Sequence, residues 1–330
     1  MDELVSVIIP CYNAEMYVDD AIRSVFEQDY HSIELIVVND GSTDESERVI
    51  IKWKDVFTRE GRIFKYVFQS NLGLGGAVNT ALKYVSGEYL TLLDADDRYL
   101  QGSIRKKVRF LQDNQDYAMV RSDGWVCSGK NRWHFIQRQE ETSENYFALI
   151  TLHKTNNWAG SYMVRTSILF DHYRDREIYP SRYGQNFQIV LPVAYQNKCG
   201  FINEPLMEYI RRSTSLTKTI DIEKQYEKET MNREGYSDIY NHVINQMISN
   251  ETERNKYTSI YEVETMRESL DQAIRYNNLK DIRNCIDWLK SRKQYKLDDK
   301  IKYYSSRGSI WVYFLRLIRK VRSLICREKI

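Results

Sequence analysis

Four apolar, β-branched runs alternate with helix-like stretches in the first 100 residues, and this alternation constrains the fold more than any other feature. Short apolar runs of this kind are typical of buried strands, and apolar residues at helical spacing between them predict helices. The predicted strands are Leu4–Pro10, Glu34–Val38, Ile63–Phe68 and Glu88–Leu93. The predicted helices cover about 14–28, 49–57 and 73–85. Strands that alternate with helices indicate an α/β fold, in which a parallel sheet with right-handed crossovers is flanked by helices.

Polar segments follow three of these predicted strands. They are residues 10–13 (Pro-Cys-Tyr-Asn), 40–42 (Asp-Gly-Ser) and 94–96 (Asp-Ala-Asp). In a parallel sheet the carboxyl ends of the strands lie along one edge, and ligands bind just beyond them. The sequence therefore predicts a binding site where the three segments meet.

The third segment carries the densest charge. Asp94, Asp96 and Asp97 directly follow the fourth apolar run. Like charges crowded at a strand end repel one another, and a bound Mg²⁺ or Mn²⁺ would offset them, with carboxylate and phosphate oxygens as ligands. The alternative is a solvated acidic turn in which Asp96 or Asp97 caps a following helix.

Four short motifs, taken in order, resemble those of family-two glycosyltransferases with the GT-A fold. The resemblance is strong over about the first 120 residues and continues weakly to about residue 218. It rests on Ile9–Asn13, Val38–Asp44, Asn71–Gly73 with Asn79, and Leu93–Asp97. It implies a Rossmann-like, mostly parallel sheet flanked by helices. It also implies transfer of a sugar from a nucleoside diphosphate donor, usually a UDP-sugar, with inversion at the anomeric carbon and with Mn²⁺ or Mg²⁺.

The resemblance implies a donor site at the predicted sheet edge. Tyr12 offers an aromatic face for a base, and Asp40 can accept from a uracil N–H or a ribose hydroxyl. Asp94 and Asp96 are the expected metal ligands, and Asp94 is also placed to hold the ribose or a metal-bound water. The alternatives are a surface or packing role for Tyr12 and an Asx-turn before Gly41 for Asp40. The full predicted donor site is Pro10, Tyr12, Asn13, Asp40, Asn71, Gly75, Asn79, Asp94, Ala95, Asp96, Arg211 and Arg212.

A glycine-rich stretch, residues 73–76, opens the third predicted helix. It has neither the G-x-G-x-x-G spacing nor the lysine of a P-loop, so it indicates a helix start close to the nucleotide, where glycines leave room. Family members often carry arginine just before the asparagine that matches Asn79, whereas this chain has Val78. Arg211 and Arg212 are therefore the candidates to neutralise the diphosphate, with a solvated basic pair as the alternative.

The position of the usual catalytic base departs from the family pattern. Inverting members place Glu-Asp before a helix, whereas this chain has Gln185 and Asn186. These amides bind sugars but accept no proton at neutral pH. Asp123, predicted to end the next strand, is the first substitute base, and Asp97 is the second. The alternative for Asp123 is a β-turn before Gly124.

Residues 157–161 (Asn-Trp-Ala-Gly-Ser) are the predicted wall of the acceptor site. Trp158 can stack on a sugar face, and Gly160 admits the ring closely because it has no side chain. The alternative for Trp158 is a buried core position.

Composition limits the remaining classes. A chain of 330 residues that is 42% hydrophobic can bury a core and has room for one large domain and an appendage. A net charge of +2 gives no general attraction for nucleic acid. The five cysteines lack zinc or redox spacing, and no signal peptide opens the chain, so we expect a cytoplasmic protein.

The second half of the chain predicts a change of architecture. We expect a GT-A domain at 1–218, a helical module of three or more helices at 219–305 and a basic amphipathic helix at 306–330. The module is predicted to serve self-association or to dock a partner glycosyltransferase or the acceptor, and a packing buttress is the alternative. The terminal helix is predicted to lie at the inner face of the membrane or on a partner, with packing on this protein as the alternative. The stripes expected to be buried in the module are Tyr236, Ile239, Val243 and Met247; Val263, Met266, Leu270 and Ala273; and Leu279, Ile282, Ile286 and Leu289.

These features together predict a metal-assisted transferase that moves a hexose or N-acetylhexosamine from a UDP-sugar to a cytosolic glycan on a glycoprotein or lipid carrier. A rival from another class is a catalytically weak or inactive GT-A binding subunit of a glycosyltransferase complex, which Gln185 and Asn186 favour. A nucleotidyltransferase would share the sheet and the acidic segment. It would carry a basic glycine-rich loop after the first strand, and residues 10–13 do not form one.

Overall fold

The computed structural model of the chain describes residues 3–212 and 221–306. They divide into two compact units. The first contains the described residues up to 212 together with 238–254, and the second contains 221–237 and 255–306. The predicted C-terminal helix, apart from its first residue, falls on residues 307–330 and so lies outside the described part of the chain.

Strands and helices alternate in the first unit and give way to helices after residue 221. The strands are β1 (Val5–Cys11), β2 (Ile33–Asp40), β3 (Ile63–Gln69), β4 (Tyr89–Leu92), β5 (Arg98–Tyr99), β6 (Tyr117–Ser128), β7 (Asn131–His134), β8 (Tyr162–Arg165) and β9 (Lys198–Ile210). The helices are α1 (Val18–Phe26), α2 (Ser46–Arg59), α3 (Gly73–Leu82), α4 (Ser103–Asp113), α5 (Tyr146–Thr151), α6 (Thr166–His172), α7 (Gln185–Ala194), α8 (Ile222–Met247), α9 (Glu251–Arg275), α10 (Leu279–Ser291) and α11 (Leu297–Ser306). A short 3₁₀ helix spans Gln139–Thr142.

All the strands of the described chain join one sheet in the order β3-β2-β1-β4-β8-β6-β9-β5, with β7 paired to β6. The four N-terminal strands β1 to β4 that carry the predicted motifs pair in parallel. Beyond β4 the sheet is mixed, because β8 runs antiparallel to both β4 and β6 whereas β6 and β9 are parallel. The predicted α/β class is confirmed, and the carboxyl ends of β1, β2 and β4 lie at one edge as expected.

Burial explains why the first strands are so apolar. Every residue of β1, β2 and β4 is buried, whereas the edge strand β3 is only partly buried. Strands covered on both faces carry near-continuous apolar runs, since neither face meets water. Their side chains form a core with those of α1, α2 and α4.

Helix α1 begins at Val18, four residues later than predicted. Two residues before it donate their backbone N–H groups to side chains of the loop after β2. The backbone N–H of Ala14 donates to Ser46 Oγ (2.8 Å), and that of Glu15 donates to Asp44 Oδ2 (3.0 Å). These contacts fix the β1 and β2 loops against each other.

At the opposite end of the sheet, a buried carboxylate joins three strands. Glu34 on β2 accepts hydrogen bonds from Lys65 Nζ (2.6 Å), from the Ser6 hydroxyl, and from the backbone and hydroxyl of Ser86 (2.6 and 2.7 Å). Burial alone would raise the pKa of Glu34, but the hydrogen bonds from Lys65, Ser6 and Ser86 outweigh it and lower the pKa. The cluster therefore stabilises the fold through an ionised group.

The second unit is helical and has its own core. Buried residues of α9 and α10 pack together in it: Val263, Leu270, Ala273, Ile282, Cys285, Ile286 and Leu289. The predicted stripe is wrong at Leu279, which is 44% exposed because it is the first residue of α10. On α8, Tyr236 of this unit is 39% exposed, whereas Ile239 and Val243, which belong to the first unit, are buried. Within the described ranges, none of the helices combines the length and apolarity needed to cross a membrane.

Candidate active site

Asn13 connects the loops that follow β1 and β2. Its backbone has φ of 47°, a left-handed conformation that asparagine tolerates better than most residues. The side-chain Oδ1 accepts from the backbone N–H of Thr43 (2.8 Å), and its own N–H donates to Ser42 Oγ (3.0 Å). Asn13 thus has a positioning role, and it leaves the neighbouring Tyr12 ring half-exposed at the sheet edge.

Asp40 ends β2 and is almost fully buried. Its Oδ1 accepts from Gln69 Nε2 (2.6 Å) and from the backbone N–H of Leu72 (2.8 Å). Its Oδ2 takes no hydrogen bond from the residues that the structure describes. The local turn is held by Asn39, whose Oδ1 accepts from the Ser42 N–H (2.9 Å), so the Asx-turn reading of Asp40 is wrong. The free oxygen leaves Asp40 able to accept from a ligand.

Two residues predicted to contact the donor have other partners. A side chain at Gly75 would place its Cβ 2.5 Å from the Ser181 carbonyl oxygen, so the glycine is required by packing against that segment. The Asn79 amide both donates to and accepts from the backbone of Ile178 (2.9 and 2.7 Å). Both residues fix α3 to the chain before α7, and their nucleotide contacts stay predictions. Asn71 Oδ1 accepts from the N–H of Gly73 (3.2 Å) at the start of α3.

The three aspartates after β4 form a tight turn, in which the Asp97 N–H donates to the Asp94 carbonyl (3.0 Å) around Ala95. Asp97 is 1% exposed, with Oδ1 accepting from the Ile210 N–H (2.9 Å) and Oδ2 buried without a hydrogen bond. Neither Asp96 nor Asp97 caps a helix, because α4 begins only at Ser103, so the capping alternative is wrong. Asp97 is also too buried to reach an acceptor hydroxyl from this position.

Burial raises the pKa of all three carboxyl groups, and the charges of neighbouring aspartates raise it further at Asp94 and Asp97. Burial, followed by the charge of Asp96, raises the pKa of Asp94 to about 7. Burial, then Asp94 and Asp96, raises the pKa of Asp97 well above its ordinary value. Burial also raises the pKa of Asp96, although Arg212 opposes this. A positive charge placed here would be strongly favoured.

This donor set fits a divalent cation that is completed by its ligand. In the described ranges no three His, Cys, Asp or Glu side chains converge as a full metal-binding group. Mg²⁺ and similar hard cations commonly bind one or two carboxylates and take their other ligands from phosphates and water. Asp94 and Asp96, next to the unsatisfied Oδ2 of Asp97, match that pattern.

Arg212 already lies against the acidic turn. Its Nη2 donates to the Asp96 carbonyl (3.1 Å), its Nη1 is 3.5 Å from Asp96 Oδ2, and its guanidinium stacks on Tyr17 (3.1 Å to the ring centroid). The alternative of a solvated pair is therefore wrong for Arg212. Arg211 is exposed and lies 5.8 Å from the centroid of Trp133.

An aromatic cluster borders the acidic turn. Trp158 stacks on Phe135 (4.9 Å between centroids) and contacts Tyr209 (4.4 Å). Burial, followed by the charges of Asp97, Asp94 and Asp96, raises the pKa of Tyr209 to about 12, which reflects its place beside the aspartates. Trp158 is only partly buried, so the fully buried alternative is wrong.

Gly160 is fixed by packing and by its backbone. It has φ of 80°, and a Cβ there would lie 3.0 Å from Met207 Sδ and 3.1 Å from Leu93 Cδ1. Its carbonyl accepts from Lys107 Nζ (2.5 Å). These internal contacts account for the glycine, and its role in admitting an acceptor ring stays a prediction.

The amides that replace the usual base lie at the start of α7. Gln185 is buried, whereas Asn186 is partly exposed and its Oδ1 accepts from the Tyr162 hydroxyl (2.8 Å). Burial and then the Asp94 charge raise the pKa of Tyr162, so this hydroxyl lies near the acidic turn. Tyr162 thus orients the Asn186 amide, whose nitrogen donates no hydrogen bond to the described residues.

The prediction that Asp123 ends a strand is wrong. Asp123 lies within β6, which continues to Ser128. The register against β9 shifts on both sides of Asp123, and the extra residues lie on β9. Its Oδ1 accepts from the N–H groups of Gly124 (2.8 Å) and Ile136 (3.2 Å), and its Oδ2 is hydrogen-bonded to His134 Nδ1. The β-turn alternative is also wrong. His134 was missed because only the β6–β7 pairing places it opposite this region of β6.

Lys107 is a buried cation that sequence reasoning also missed, since a lysine in an amphipathic helix is normally exposed. It is fully buried and bonds Ser103 Oγ (3.0 Å) and the Gly160 carbonyl. Burial lowers its pKa to about 7 from an ordinary 10.5. The folded state therefore binds Lys107's proton less tightly than the unfolded chain between about pH 7 and 10.

We expect the free energy of unfolding to rise with pH in that window and the K107M variant to lose this rise. The release of one proton on folding raises the free energy of unfolding by at most about 1.4 kcal/mol per pH unit. Between about pH 7 and 8.5 we therefore expect the free energy of unfolding of wild type to gain about 1.5 kcal/mol relative to that of K107M. Urea unfolding at the two pH values measures it. K106M, at an exposed neighbour paired with Glu204, is the control and should parallel wild type. Parallel curves for K107M and wild type would contradict the prediction.

Comparisons with known proteins agree with this geometry. The family model described as Glycosyl transferase family 2 matches residues 6–173. An uncharacterized glycosyltransferase of Rickettsia typhi is 39% identical over 143 residues, which are 43% of each chain. The putative teichuronic acid biosynthesis glycosyltransferase TuaG of Bacillus subtilis is 32% identical over 127 residues, 37% of this chain and 49% of that protein. The matches thus span under half the length of these curated relatives.

Solved structures resemble nearly the whole chain in fold. A crystal structure of S. aureus TarS with UDP-GlcNAc has a TM-score of 0.61 at 18% identity and covers 92% of this chain and 87% of that one. The mannosyltransferase PcManGT of Pyrobaculum calidifontis with GDP-Man and Mn²⁺ has a TM-score of 0.56 at 15% identity and covers 98% and 81%. At these identities the likeness shows the fold alone, and the predicted GT-A fold is confirmed. The chain belongs to glycosyl transferase family 2.

Proposed function

We propose that this glycosyltransferase transfers a hexose or N-acetylhexosamine from a UDP-sugar, with metal assistance and inversion. The observation that carries the proposal is the acidic turn, where burial raises the pKa values of Asp94, Asp96 and Asp97, repulsion between carboxylates adds to this at Asp94 and Asp97, and Arg212 contacts Asp96. The turn shares a sheet edge with Asp40 and the exposed Tyr12 ring. Acidic, aromatic and basic groups at one edge suit a nucleoside diphosphate.

Each group of the proposed donor site has a separate task. Tyr12 stacks on the base, and the free oxygen of Asp40 accepts from a uracil N–H or ribose hydroxyl. Asp94 and Asp96 would hold Mn²⁺ or Mg²⁺, which supplies positive charge for the departing diphosphate. Arg211 and Arg212 add charge to the diphosphate oxygens.

The acceptor side is proposed to use the aromatic cluster. Trp158 and Tyr209 offer faces for a sugar beside the acidic turn, and the Asn186 amide can donate to a hydroxyl. We place the acceptor glycan on a glycoprotein or lipid carrier in the cytosol, where the unpaired Cys11, Cys127, Cys199 and Cys285 would stay reduced. The domain division at residue 218 and a docking or self-association role for the helical unit belong to the same proposal.

The first test is a thermal-shift panel of UDP-glucose, UDP-galactose, UDP-GlcNAc, UDP and GDP-mannose, each with and without Mn²⁺. We expect at least one UDP-sugar to raise the unfolding midpoint in a Mn²⁺-dependent way, because ligands of the folded state stabilise it by mass action. Release of UDP from that donor, with water as acceptor, then measures chemistry. If no nucleotide in the panel shifts the midpoint, the proposal is wrong.

A second candidate function is a binding subunit with little or no activity. It is favoured by Gln185 and Asn186, which cannot replace the usual acidic pair as proton acceptors. This function predicts that a nucleotide sugar raises the unfolding midpoint in a Mn²⁺-dependent way but that no UDP is released.

A further inference from the structure

Gln69 and Asp40 end neighbouring parallel strands and are hydrogen-bonded to each other. They are partners in the register of β2 and β3, so their side chains lie on the same face of the sheet, at the edge where the polar segments meet. Gln69 Nε2 donates to Asp40 Oδ1 at 2.6 Å. The amide presents its nitrogen here because an ionised carboxylate only accepts. Gln69 therefore adds a fixed hydrogen-bond donor to a carboxylate of the proposed nucleotide site.

A second hydrogen-bond donor fills the same carboxylate oxygen. The backbone N–H of Leu72 donates to Asp40 Oδ1 at 2.8 Å. An ionised carboxylate offers about two acceptor positions on each oxygen, so both positions of Oδ1 are occupied. Oδ2 takes no hydrogen bond from any described residue. Asp40 thus presents one acceptor oxygen to a ligand in place of two.

The surrounding backbone holds this arrangement in place. Gly41 has φ of 72°, and a Cβ there would lie 2.8 Å from the backbone nitrogen of Asn71, so the turn after Asp40 packs directly on the chain after Gln69. Helix α3 packs beside the amide, since a Cβ at Gly76 would lie 3.8 Å from Gln69 Nε2. These contacts keep the amide and the carboxylate together.

The other end of the Gln69 amide destabilises the fold. Its Oε1 is buried and has no hydrogen-bond partner in the described part of the chain. A buried polar atom without a partner lowers the stability of the folded state, and such atoms are uncommon in native proteins. An apolar side chain at position 69 would avoid this loss. The amide is therefore better explained by its effect on Asp40 than by a contribution to folding.

The free oxygen of Asp40 lies next to the aromatic ring proposed to bind the base. Cys11 of β1 pairs with Asn39 of β2, so the next residues, Tyr12 and Asp40, follow neighbouring strands at the same level. The Tyr12 side chain is 50% exposed. A base stacked on that ring can direct its N–H groups to Asp40 Oδ2.

We infer that Gln69 determines the nucleobase selectivity of the site by leaving Asp40 with a single acceptor oxygen. The inference rests on the proposed function and names a residue that decides which nucleoside diphosphate is taken. Gln69 acts through Asp40 and is a positioning residue.

The physical reason lies in the hydrogen-bonding groups of the two bases. Uracil carries one ring N–H, at N3, between two carbonyl groups, and one acceptor oxygen satisfies it. Guanine carries two adjacent donors, N1–H and the N2 amino group, which match both oxygens of a carboxylate. With Oδ1 filled, one of the guanine donors is left unpaired, and an unpaired buried donor weakens binding. The arrangement favours uracil by penalising guanine.

The Q69A variant tests this selectivity. It removes one donor to Oδ1 and leaves room for a larger base, so we expect the ratio of the GDP Kd to the UDP Kd to fall by about tenfold, the usual effect of one hydrogen bond to a charged group. Titration calorimetry at fixed Mn²⁺ measures both constants. Q69N, whose side chain is one methylene shorter, should lower the ratio in the same way.

The matched control is Q112A. Gln112 also donates through Nε2 to a carboxylate, that of Glu3, but at an exposed position, so its variant should keep the wild-type ratio. In a D40N background Q69A should not change the ratio, because the Asp40 carboxylate through which Gln69 acts is gone. A purely structural role of Gln69 would instead weaken the binding of UDP and GDP equally and leave the ratio at its wild-type value.

Methylation of uracil at N3 tests which hydrogen Asp40 binds. We expect wild type to bind N3-methyl-UDP about tenfold more weakly than UDP, since the methylated base has no N–H for Oδ2. Equal binding of these two nucleotides by wild type, equal affinity of wild type for UDP and GDP, or an unchanged ratio in Q69A and Q69N would overturn the inference and leave the proposed transfer reaction intact. Failure of all three nucleotides to bind wild type would instead reject the proposed function.

Discussion

Replacing Asp96 by asparagine is expected to lower UDP release by about 1,000-fold at fixed Mn²⁺, since electrostatic stabilisation of a leaving group by a metal or fixed dipoles contributes several kcal/mol. Asparagine keeps the shape and one acceptor oxygen but removes the charge. It also removes the ion pair with Arg212 at 3.5 Å. The Mn²⁺-dependent part of the thermal shift should vanish with the activity.

The control for D96N is D113N. Asp113 lies on α4 with its side chain 67% exposed and forms a surface pair with Arg109 at 3.6 Å. Such pairs contribute little, so both activity and the Mn²⁺ effect should match wild type. A D96N protein that retains its Mn²⁺-dependent rate would show that the cation does not bind at the acidic turn.

The second large effect is expected far from the site, at Glu34. In E34Q the amide cannot replace the carboxylate toward Lys65, Ser6 and Ser86 together, so a buried network loses its charge and several acceptors. Removing one partner of a buried pair costs about 3 kcal/mol or more. Chemical unfolding near neutral pH measures the loss. E204Q, which breaks the exposed pair with Lys106, should change stability by less than about 1 kcal/mol.

The difference in stability between wild type and E34Q should depend on pH in a defined direction. Because the folded-state pKa of Glu34 is lowered, its stabilisation is present above the ordinary value of 4.5 and is lost as the pH falls through the folded-state value. The gap between wild type and E34Q should therefore narrow below about pH 4.5. A gap that stays constant to pH 3 would show that the cluster acts through packing instead of ionisation.

The sequence alone predicted the fold well where burial dictates composition. β1, β2 and β4 are buried throughout, so their apolar runs were unmistakable, and their polar ends marked the correct sheet edge. Individual site residues were predicted less well. Asn79 resembles a donor contact in its motif, but its partner is Ile178, 99 positions away in the chain. No local pattern encodes such a contact.

The contact between Asp123 and His134 shows a second limit of local patterns. Asp123-Gly124 has the composition of a turn, yet it lies within β6, where Asp123 pairs with Pro205 of β9, so tertiary structure overrides local propensity. His134 becomes its partner only through the β6–β7 register. The burial of Lys107 was missed for the same reason. A lysine in a helix is identified as buried only once α4 is seen to pack over Gly160.

The contact between Arg212 and Asp96 has a thermodynamic consequence for the proposed reaction. The resting protein supplies its own counter-ion, so a cation arriving alone would have to compete with a guanidinium already in place. A cation that arrives with a diphosphate offers the displaced arginine new anionic partners at the same time. Ion and nucleotide uptake are then linked as one cooperative event, and each should strengthen the apparent affinity of the other by the same factor.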